Sequence, residues 1–312
     1  MSGGLNVPRI EFSAANFKND AVRLFQEYGF VVVENVFSSD EAAEMQSAMD
    51  KIVDNLRPEE HPKSIFNTED EEKHTTDSYF LESVDKIRFF YEEGAFNKLT
   101  GELQVPKNRA LNKVGHALHW LDATFRKYTF SDQIKKIFSA IGYVTPKIVQ
   151  SMYIFKQPSI GGSVTDHIDS TFLQVDPPEQ VIGVWIALDD ATEANGCLWF
   201  IPGSHRESTA DGYKFVRTFS GSDSSDVKGQ LVKFTGTRPT YDQSRFIPVE
   251  VKTGSLVLID GKVVHKSEPN TSDKSRHAYT FHVADLQPGT TWSPLAWLQE
   301  TDVYRFPELY VN

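Results

Sequence analysis

The chain has little cysteine and no long apolar run. Its one cysteine, Cys197, can form no internal disulfide and lies in an apolar segment, where a buried and inert thiol is expected. No run approaches the roughly 18 apolar residues of a membrane-spanning helix. Residues 1–4 lead into no secretory signal, and residues 310–312 are not the Ser-Lys-Leu peroxisomal signal. These absences predict a protein of a reducing compartment, without membrane insertion, and by default a cytoplasmic one.

Basic residues are also fewer than acidic ones. The chain has 32 basic residues against 43 acidic ones, for a net charge of −11. Long-range repulsion therefore disfavours non-specific binding to nucleic acid or to anionic lipid surfaces. A small-molecule substrate is the simpler partner, and the composition predicts no particular oligomeric state.

The first half of the chain has helical periodicity. Helices are predicted over 17–28, after the capping box Ser38–Glu41, and over 131–141, where Gly142 is a fitting C-cap. Two polar segments, 57–78 and 211–243, lack this periodicity. They are predicted to be loops, and whether either acts as a lid over a pocket is left open.

After residue 147 the pattern changes to short segments rich in β-branched and aromatic residues, separated by turn-forming residues. The predicted strands are 147–156, 181–188, 197–201, 246–251, 255–259 and 276–284. The gaps between them lack the helices of βαβ units, so antiparallel pairing is favoured. We therefore predict one domain over residues 1–312 that is mainly β with flanking α-helices. It would have a helical part over about 15–142 and a β-sandwich or jelly-roll core over about 147–286.

An H-x-D pattern provides the first two candidate metal ligands, His167 and Asp169. Side chains alternate between the two faces of a strand, so these two can lie on the same face and bind one metal ion. A second histidine would complete the two-histidine, one-carboxylate set that leaves positions open on iron(II). The pattern is weak by itself, because nine histidines and 43 acidic residues predict about one such match by chance.

Downstream residues strengthen this pair. His265 follows an apolar strand, and Arg276 opens the next strand, so neighbouring strands can bring both into one pocket. A guanidinium suits a terminal carboxylate because it donates two parallel charge-assisted hydrogen bonds.

The other histidines receive structural interpretations. His205 and Glu207 form a second H-x-(D/E) match, but they follow a turn signal, where strand alternation need not hold. Hydrogen-bonded core or surface positions are expected for the following four: His116, His119, His277 and His282.

A series of short motifs extends the pattern beyond the ligand candidates. In chain order they are Gly161-Gly162, His167-x-Asp169, Asn195-Gly196-Cys197-Leu198-Trp199, Pro202-Gly203-Ser204-His205, His265-Lys266-Ser267 and Arg276. This order resembles the phytanoyl-CoA dioxygenase family. The segments 149–158, 183–186, 279–282 and 291–294 look like one subfamily of it, that of phytanoyl-CoA dioxygenase domain-containing protein 1.

The resemblance implies a double-stranded β-helix that binds iron(II) and uses 2-oxoglutarate and O2 to hydroxylate a small or lipid-like substrate, with release of succinate and CO2. Ascorbate is an accessory candidate. By position in the motifs, iron would be bound by His167, Asp169 and His265. The co-substrate would be bound by Arg276 and Ser267, in a pocket lined by Lys113, Met152 and Trp185. The alternative interpretation places Met152 and Trp185 in the core and Lys113 on the surface.

Two features qualify the resemblance. Ile168 stands where relatives often have Gln, and its side chain should point away from the metal because it lies between the two ligands. Asp169 provides the carboxylate ligand that related halogenases lack, so hydroxylation is preferred to halogenation. No motif marks a site for the phosphates of an acyl-CoA. The alternative from another functional class is a catalytically silent, cupin-like module that binds a small acid or a protein partner.

Overall fold

The computed structural model describes residues 6–65, 77–97, 99–207, 212–218 and 231–311. The α-helices in these ranges are α1 (Phe17–Tyr28), α2 (Ser39–Asp54), α3 (Ser78–Leu81), α4 (Lys107–Ala110), α5 (Leu118–Leu121), α6 (Ala123–Thr129) and α7 (Asp132–Ile141). The strands are β1 (Arg9–Glu11), β2 (Phe30–Glu34), β3 (Ile87–Tyr91), β4 (Leu111–His116), β5 (Pro146–Ile154), β6 (Val164–His167), β7 (Val175–Asp176), β8 (Val181–Ala187), β9 (Leu198–Phe200), β10 (Lys214–Arg217), β11 (Val232–Thr235), β12 (Ile247–Val249), β13 (Leu256–Asp260), β14 (His265–Ser267), β15 (Ala278–Asp285) and β16 (Thr291–Trp292). No helix in the described ranges is long and apolar enough to cross a lipid bilayer.

The larger sheet has eight strands in the order β1-β2-β13-β8-β15-β5-β4-β3. Only the β1–β2 pair is parallel. Side chains alternate between the two faces of the sheet, as strand geometry requires. Along β2, Val31 and Val33 belong to one apolar core, whereas Phe30 and Val32 belong to another. The sheet is therefore buried on both faces.

Helices cover one face of this sheet. The predicted helices 17–28, after Ser38, and 131–141 are confirmed as α1, α2 and α7, and all three contribute to the core on that face. The capping box of α2 is present, with Ser38 Oγ accepting from the backbone N–H of Glu41 and Glu41 Oε2 accepting from that of Ser38. Local capping signals thus set the helix bounds.

A four-stranded sheet, in the order β12-β9-β14-β6, covers the other face. The Phe30 ring of the larger sheet stacks on Phe200 of the smaller one, with 4.2 Å between ring centroids. The core between the sheets also includes Trp185, Val249 and Val257. The predicted architecture, mainly β with flanking helices, is confirmed.

The prediction of a helical part over residues 15–142 is wrong in three places, where the chain forms strands. β2, β3 and β4 all lie within this range and join the larger sheet. β2 is a short apolar run directly after a helix, and such a run shows no period-two alternation. β4 contains Asn112, Lys113 and Gly115, residues that strands disfavour. Tertiary pairing, rather than local preference, makes these segments strands.

Part of the segment 211–243 also differs from the predicted loop. β10 and β11 pair antiparallel within it, with Phe215 opposite Phe234. The surrounding residues are rich in Gly, Ser, Thr and Asp, which favour loops, so the sequence did not indicate these two short strands. Residues 219–230 lie outside the described residues, as do residues 66–76 of the segment 57–78. The question of a lid, which the sequence left open for both segments, falls in part on these residues.

Candidate active site

A cavity of about 250 Å³ is lined by residues of both sheets. The larger sheet contributes inward-facing side chains of β4, β5, β8 and β15, and the smaller sheet contributes β6 and β14. All eight residues that the sequence analysis selected line this one cavity: Lys113, Met152, His167, Asp169, Trp185, His265, Ser267 and Arg276. Residues far apart in the chain therefore meet in one place.

The three metal-ligand candidates converge. His167 ends β6 and lies directly opposite His265, which opens the antiparallel β14. Asp169 Oδ1 is 3.7 Å from His167 Nε2 and 3.8 Å from His265 Nε2. One potential ligand atom of each residue lies within 4.8 Å of the others. Ile168 between them is extended and packs in a separate apolar cluster, so its difference from the usual Gln leaves the ligand set intact.

Backbone carbonyls fix the orientation of both imidazoles. His167 Nδ1 donates to the carbonyl of Thr165 at 2.8 Å, and His265 Nδ1 donates to that of Val263 at 3.1 Å. A carbonyl can only accept, so each Nδ1 bears the hydrogen and each Nε2 presents a lone pair. Burial also lowers the pKa of His167 to about 4, which keeps its imidazole neutral. This tautomer is the one that a metal-binding histidine needs.

A third histidine holds the other oxygen of the carboxylate. His282 Nε2 lies 3.2 Å from Asp169 Oδ2, and His282 Nδ1 lies 3.2 Å from Gln150 Nε2. Burial by itself would raise the pKa of Asp169, but the imidazoles of His282, His265 and His167 outweigh it and hold that pKa below its usual range. Asp169 is therefore ionised and accepts a hydrogen bond from His282.

His282 was expected to be a hydrogen-bonded core or surface residue; it lies in the core, and its contact with Asp169 was not predicted. One signal was available. In the predicted strand 276–284, positions 276 and 282 share a face because alternate residues point the same way. A histidine on the same face as Arg276 was therefore a candidate for the site.

Gly183 makes room for the Asp169–His282 pair. A Cβ at Gly183 would lie 3.1 Å from Asp169 Oδ2 and 3.4 Å from His282 Nε2. We expect Gly183→Ala to displace the carboxylate and to weaken metal binding about 10- to 100-fold, the usual cost of disturbing the groups that orient a ligand. Titration of the purified variant with Mn(II) measures the change. The control is Gly212→Ala, where a Cβ meets nothing within 4 Å. Equal Mn(II) affinity for both variants would contradict the expectation.

Arg276 lines the cavity and is buried, only 1% exposed. Its Nη2 donates to the Gly196 carbonyl at 2.9 Å, whereas Nε and Nη1 have no hydrogen-bond partner among the described residues. The guanidinium lies over the Trp185 ring, 5.0 Å from its centroid. Burial lowers the pKa of Arg276 to about 10, so it stays charged at neutral pH. A buried cation with unused donors is expected to bind an anion.

Ser267 and the buried Lys156 line the cavity together with Arg276. Ser267 Oγ donates to the same Gly196 carbonyl at 3.0 Å. Lys156 is buried, and its Nζ donates to the Gly162 carbonyl at 2.9 Å. Gly196 has φ +81°, and a Cβ there would lie 2.6 Å from Lys156 Cε, so only glycine fits. Lys156 was not predicted as a site residue, because one lysine in a strand-like segment carries no signal of burial.

The other three predicted pocket residues lie on three strands of the larger sheet, β4, β5 and β8. Met152 of β5 and Trp185 of β8 both lie opposite Thr280 of β15. Lys113 of β4 is buried, so the alternative interpretation of it as a surface charge is wrong. Its Nζ lies 5.6 Å from the Phe90 ring centroid, and burial lowers its pKa to about 7.

His205 is not part of this site. It lies in the turn Ser204–Arg206, does not line the cavity, and its Nε2 bonds to the Gln26 carbonyl at 3.1 Å. Glu207, the other half of the second match, pairs with Arg245. The interpretation of His205 as a structural turn residue is confirmed.

Comparisons with known proteins agree with this geometry. The family model "Phytanoyl-CoA dioxygenase (PhyH)" matches residues 25–278. A Caenorhabditis elegans protein named phytanoyl-CoA dioxygenase domain-containing protein 1 homolog is 60% identical over 286 residues, which are 92% of this chain and 97% of that protein. A Bos taurus protein named phytanoyl-CoA dioxygenase domain-containing protein 1 is 48% identical over 289 residues, which are 92% of this chain and 96% of that protein.

Solved structures share the fold. The non-heme alpha-ketoglutarate-dependent carbocyclase SnoK of nogalamycin biosynthesis matches with a TM-score of 0.58 and 18% identity, over 88% of this chain and 86% of that one. EctD from S. alaskensis, solved with 2-oxoglutarate and 5-hydroxyectoine, matches with a TM-score of 0.55 and 16% identity, over 88% and 77% of the two chains. The predicted double-stranded β-helix is confirmed.

Proposed function

Because the chain belongs to the phytanoyl-CoA dioxygenase family, we propose that it is an iron(II)- and 2-oxoglutarate-dependent dioxygenase. The observation that carries the proposal is the convergence of His167, Asp169 and His265 in one cavity with the buried Arg276. The ligand set fits iron(II), and the guanidinium fits the distal carboxylate of a dicarboxylic co-substrate.

The donor atoms fit an iron(II) ion that keeps open positions. Two imidazole Nε2 lone pairs and one carboxylate oxygen would provide the two-histidine, one-carboxylate ligand set typical of non-haem iron oxygenases. When bound, iron supplies the activation of O2 that converts 2-oxoglutarate to succinate and CO2 while one oxygen atom enters a C–H bond of the substrate. The carbonyls of Thr165 and Val263 keep both rings in the metal-binding tautomer.

The protein's own side chains bind and orient. In this proposal Arg276 binds the distal carboxylate of 2-oxoglutarate, and Trp185 packs against the guanidinium plane. Ser267 fixes the Gly196 carbonyl that orients Arg276. Lys113 and Met152 line the same pocket and exclude water from it. Asp169 would provide the carboxylate ligand that related halogenases lack, which favours hydroxylation over halogenation.

His282 is a positioning residue in this account. It holds Asp169 Oδ2, so that Oδ1 faces the two metal-binding imidazoles. A carboxylate fixed in this way presents one oxygen to the metal. The proposal therefore includes a residue outside the ligand set whose loss should loosen the site.

Formation of succinate tests the function. We expect the purified protein with iron(II) and 2-oxoglutarate to form succinate in air even without its substrate, and we expect His167→Ala to lose this activity because a ligand is gone. The matched control is His205→Ala, a histidine outside the cavity. Succinate can be measured by mass spectrometry. Undiminished succinate from His167→Ala would contradict the proposal, and a wild type that binds no iron would favour the silent binding module instead.

Further parts of the proposal concern the setting of the reaction. We propose that residues 1–312 form a single oxygenase domain, that the enzyme acts on a small molecule in the cytoplasm, and that ascorbate serves as an accessory reductant. The negative net charge supports the absence of nucleic-acid binding.

A further inference from the structure

Lys156 is a second buried cation in the cavity that contains Arg276. The residue is only 3% exposed and lines the cavity. Among the described residues, no carboxylate oxygen lies within 4.0 Å of Lys156 Nζ or of an Arg276 nitrogen. Two cations that are buried in one cavity without a carboxylate partner destabilise the empty site, and a bound anion removes that cost.

The chain holds Lys156 in an unusual backbone conformation. Its φ is +42°, in the left-handed region that residues other than glycine adopt infrequently. The carbonyl of Lys156 accepts from the side-chain amide of Asn270 at 2.8 Å and from the backbone N–H of Arg276 at 3.3 Å. Conformations of this kind persist where the surrounding structure imposes them, and they are concentrated in functional sites. The backbone therefore joins the two cations directly.

The side chain of Lys156 passes the groups that orient Arg276. A Cβ at Gly196 would lie 2.6 Å from Lys156 Cε, and the Gly196 carbonyl accepts from Arg276 Nη2 at 2.9 Å. Beyond Gly196, Lys156 Nζ donates to the carbonyls of Gly162 at 2.9 Å and Ser267 at 3.4 Å. An ammonium group has three N–H donors, so one has no acceptor among the described residues.

The acidic groups near Lys156 have other partners. Glu268 pairs with Lys266 at 2.6 Å. Glu92 Oε2 accepts from the backbone N–H of Gly162 at 3.4 Å. Neither carboxylate takes the remaining donor of Lys156, which is therefore available to a ligand in the cavity.

We infer that Lys156 is a second binding residue for the distal carboxylate of the co-substrate and donates to it together with Arg276. The inference rests on the proposed function in naming 2-oxoglutarate as the anion. Charge-assisted hydrogen bonds from both cations to one carboxylate account for the burial of two unpaired cations in the same cavity. The alternative is that Lys156 only fixes the carbonyls of Gly162 and Ser267 and never contacts the ligand.

The ionisation of Lys156 makes this contact depend on pH. Burial is the largest effect and lowers the pKa of Lys156 to about 7. The charge of Arg276 also lowers this pKa, whereas three groups raise it: Glu92, Glu268 and Cys197. A carboxylate within hydrogen-bond distance favours the ammonium and raises the pKa in the complex. The affinity for 2-oxoglutarate is therefore full below about pH 7 and falls above it, by at most about tenfold per pH unit, until the pKa of the complex is reached.

Two ligands of the same length test the contact by anaerobic calorimetry on Mn(II)-loaded protein. They are 2-oxoglutarate and 2-oxopentanoate, which has a methyl group in place of the distal carboxylate. We expect Lys156→Met to weaken 2-oxoglutarate binding about 10- to 100-fold, the range for a hydrogen bond to a charged group, and to change 2-oxopentanoate binding less than about twofold. Equal weakening of both ligands would show that Lys156 only supports the site, and it would overturn the inference.

The pH dependence separates a direct contact from an indirect effect through Arg276. From about pH 7 to about pH 9 the wild type should lose affinity for 2-oxoglutarate, and Lys156→Met should lose less. The difference between the two proteins is the share of Lys156, because Lys113 also lines the cavity and burial lowers its pKa to about 7. Lys156→Arg, which keeps a cation, should retain more affinity than Lys156→Met. The same pH dependence in wild type and Lys156→Met would contradict the direct contact.

Lys107→Met is the matched control. Lys107 Nζ also donates to two backbone carbonyls, those of Asp54 at 2.6 Å and Leu56 at 3.3 Å, but the residue does not line the cavity. Its replacement should change neither the affinity for the two ligands nor the pH dependence.

The inference and the proposed function fail in different ways. Succinate formation by the wild type, with unchanged 2-oxoglutarate affinity in Lys156→Met, would leave the proposed function standing and reject the second cation. Binding of 2-oxoglutarate that depends on Lys156, without succinate formation, would support the second cation and reject the oxygenase.

Discussion

Replacement of Arg276 by leucine is expected to weaken 2-oxoglutarate binding by at least on the order of 100-fold, because a buried carboxylate left without its partner costs about 3–5 kcal/mol. Arg276 is 1% exposed, and two of its nitrogens, Nε and Nη1, have no hydrogen-bond partner among the described residues, so their N–H groups can donate to a carboxylate. Arg276→Lys should recover part of the affinity, since lysine retains the charge but not the two parallel donors. Anaerobic calorimetry with Mn(II)-loaded protein measures these changes.

The control for Arg276 is Arg245→Leu. Arg245 lies on the surface, where it pairs with Glu207, and it does not line the cavity. Its loss should leave the dissociation constant of 2-oxoglutarate unchanged. Wild-type affinity in Arg276→Leu would show that the co-substrate binds elsewhere, and a parallel loss of Mn(II) binding would show that the variant had damaged the whole site.

Asp169→Asn is expected to reduce Fe(II) affinity more than about 100-fold, beyond the roughly 10- to 100-fold cost of losing a residue that only orients a ligand. The amide keeps the shape of the side chain but removes the charge that lies between three imidazoles, at 3.7 Å, 3.8 Å and 3.2 Å. Anaerobic titration with Fe(II) gives the affinity directly.

His282→Phe provides the graded comparison. We expect this variant to lose about 10- to 100-fold in Fe(II) affinity, less than Asp169→Asn, because all three ligands remain while Asp169 Oδ2 loses its donor. Asp190→Asn, which removes a surface carboxylate paired with Lys252, should change nothing. A His282→Phe variant with wild-type Fe(II) affinity would remove the positioning role of His282 and leave the ligand assignment intact.

The part of the fold that could be predicted is the part with local signals. α2 was predictable because Ser38 and Glu41 form a capping box, and α7 because Ser131 and Gly142 mark its ends. β13 and β15 were predictable from apolar and aromatic content. β4 was not, since Lys113 and Gly115 disfavour strands and only pairing with β3 and β5 holds them in one.

The candidate site could likewise be predicted only in part from the sequence. His167, Asp169 and His265 could be found from a spacing and a motif order, because each residue type is itself a metal ligand. His282 could not be assigned to Asp169 in this way, since its role depends on the register between β15 and its neighbours. The aromatic residues that line the cavity, among them Phe80, Phe172 and Trp297, could not be predicted for a similar reason, because they come from segments far apart in the chain.

The most direct test of the central claim is the anomalous diffraction signal of crystals grown anaerobically with Mn(II) and 2-oxoglutarate. The account predicts one strong peak bounded by His167 Nε2, Asp169 Oδ1 and His265 Nε2, with the distal carboxylate of 2-oxoglutarate hydrogen-bonded to Arg276. A peak at another group of acidic residues, or a co-substrate carboxylate turned away from Arg276, would contradict it.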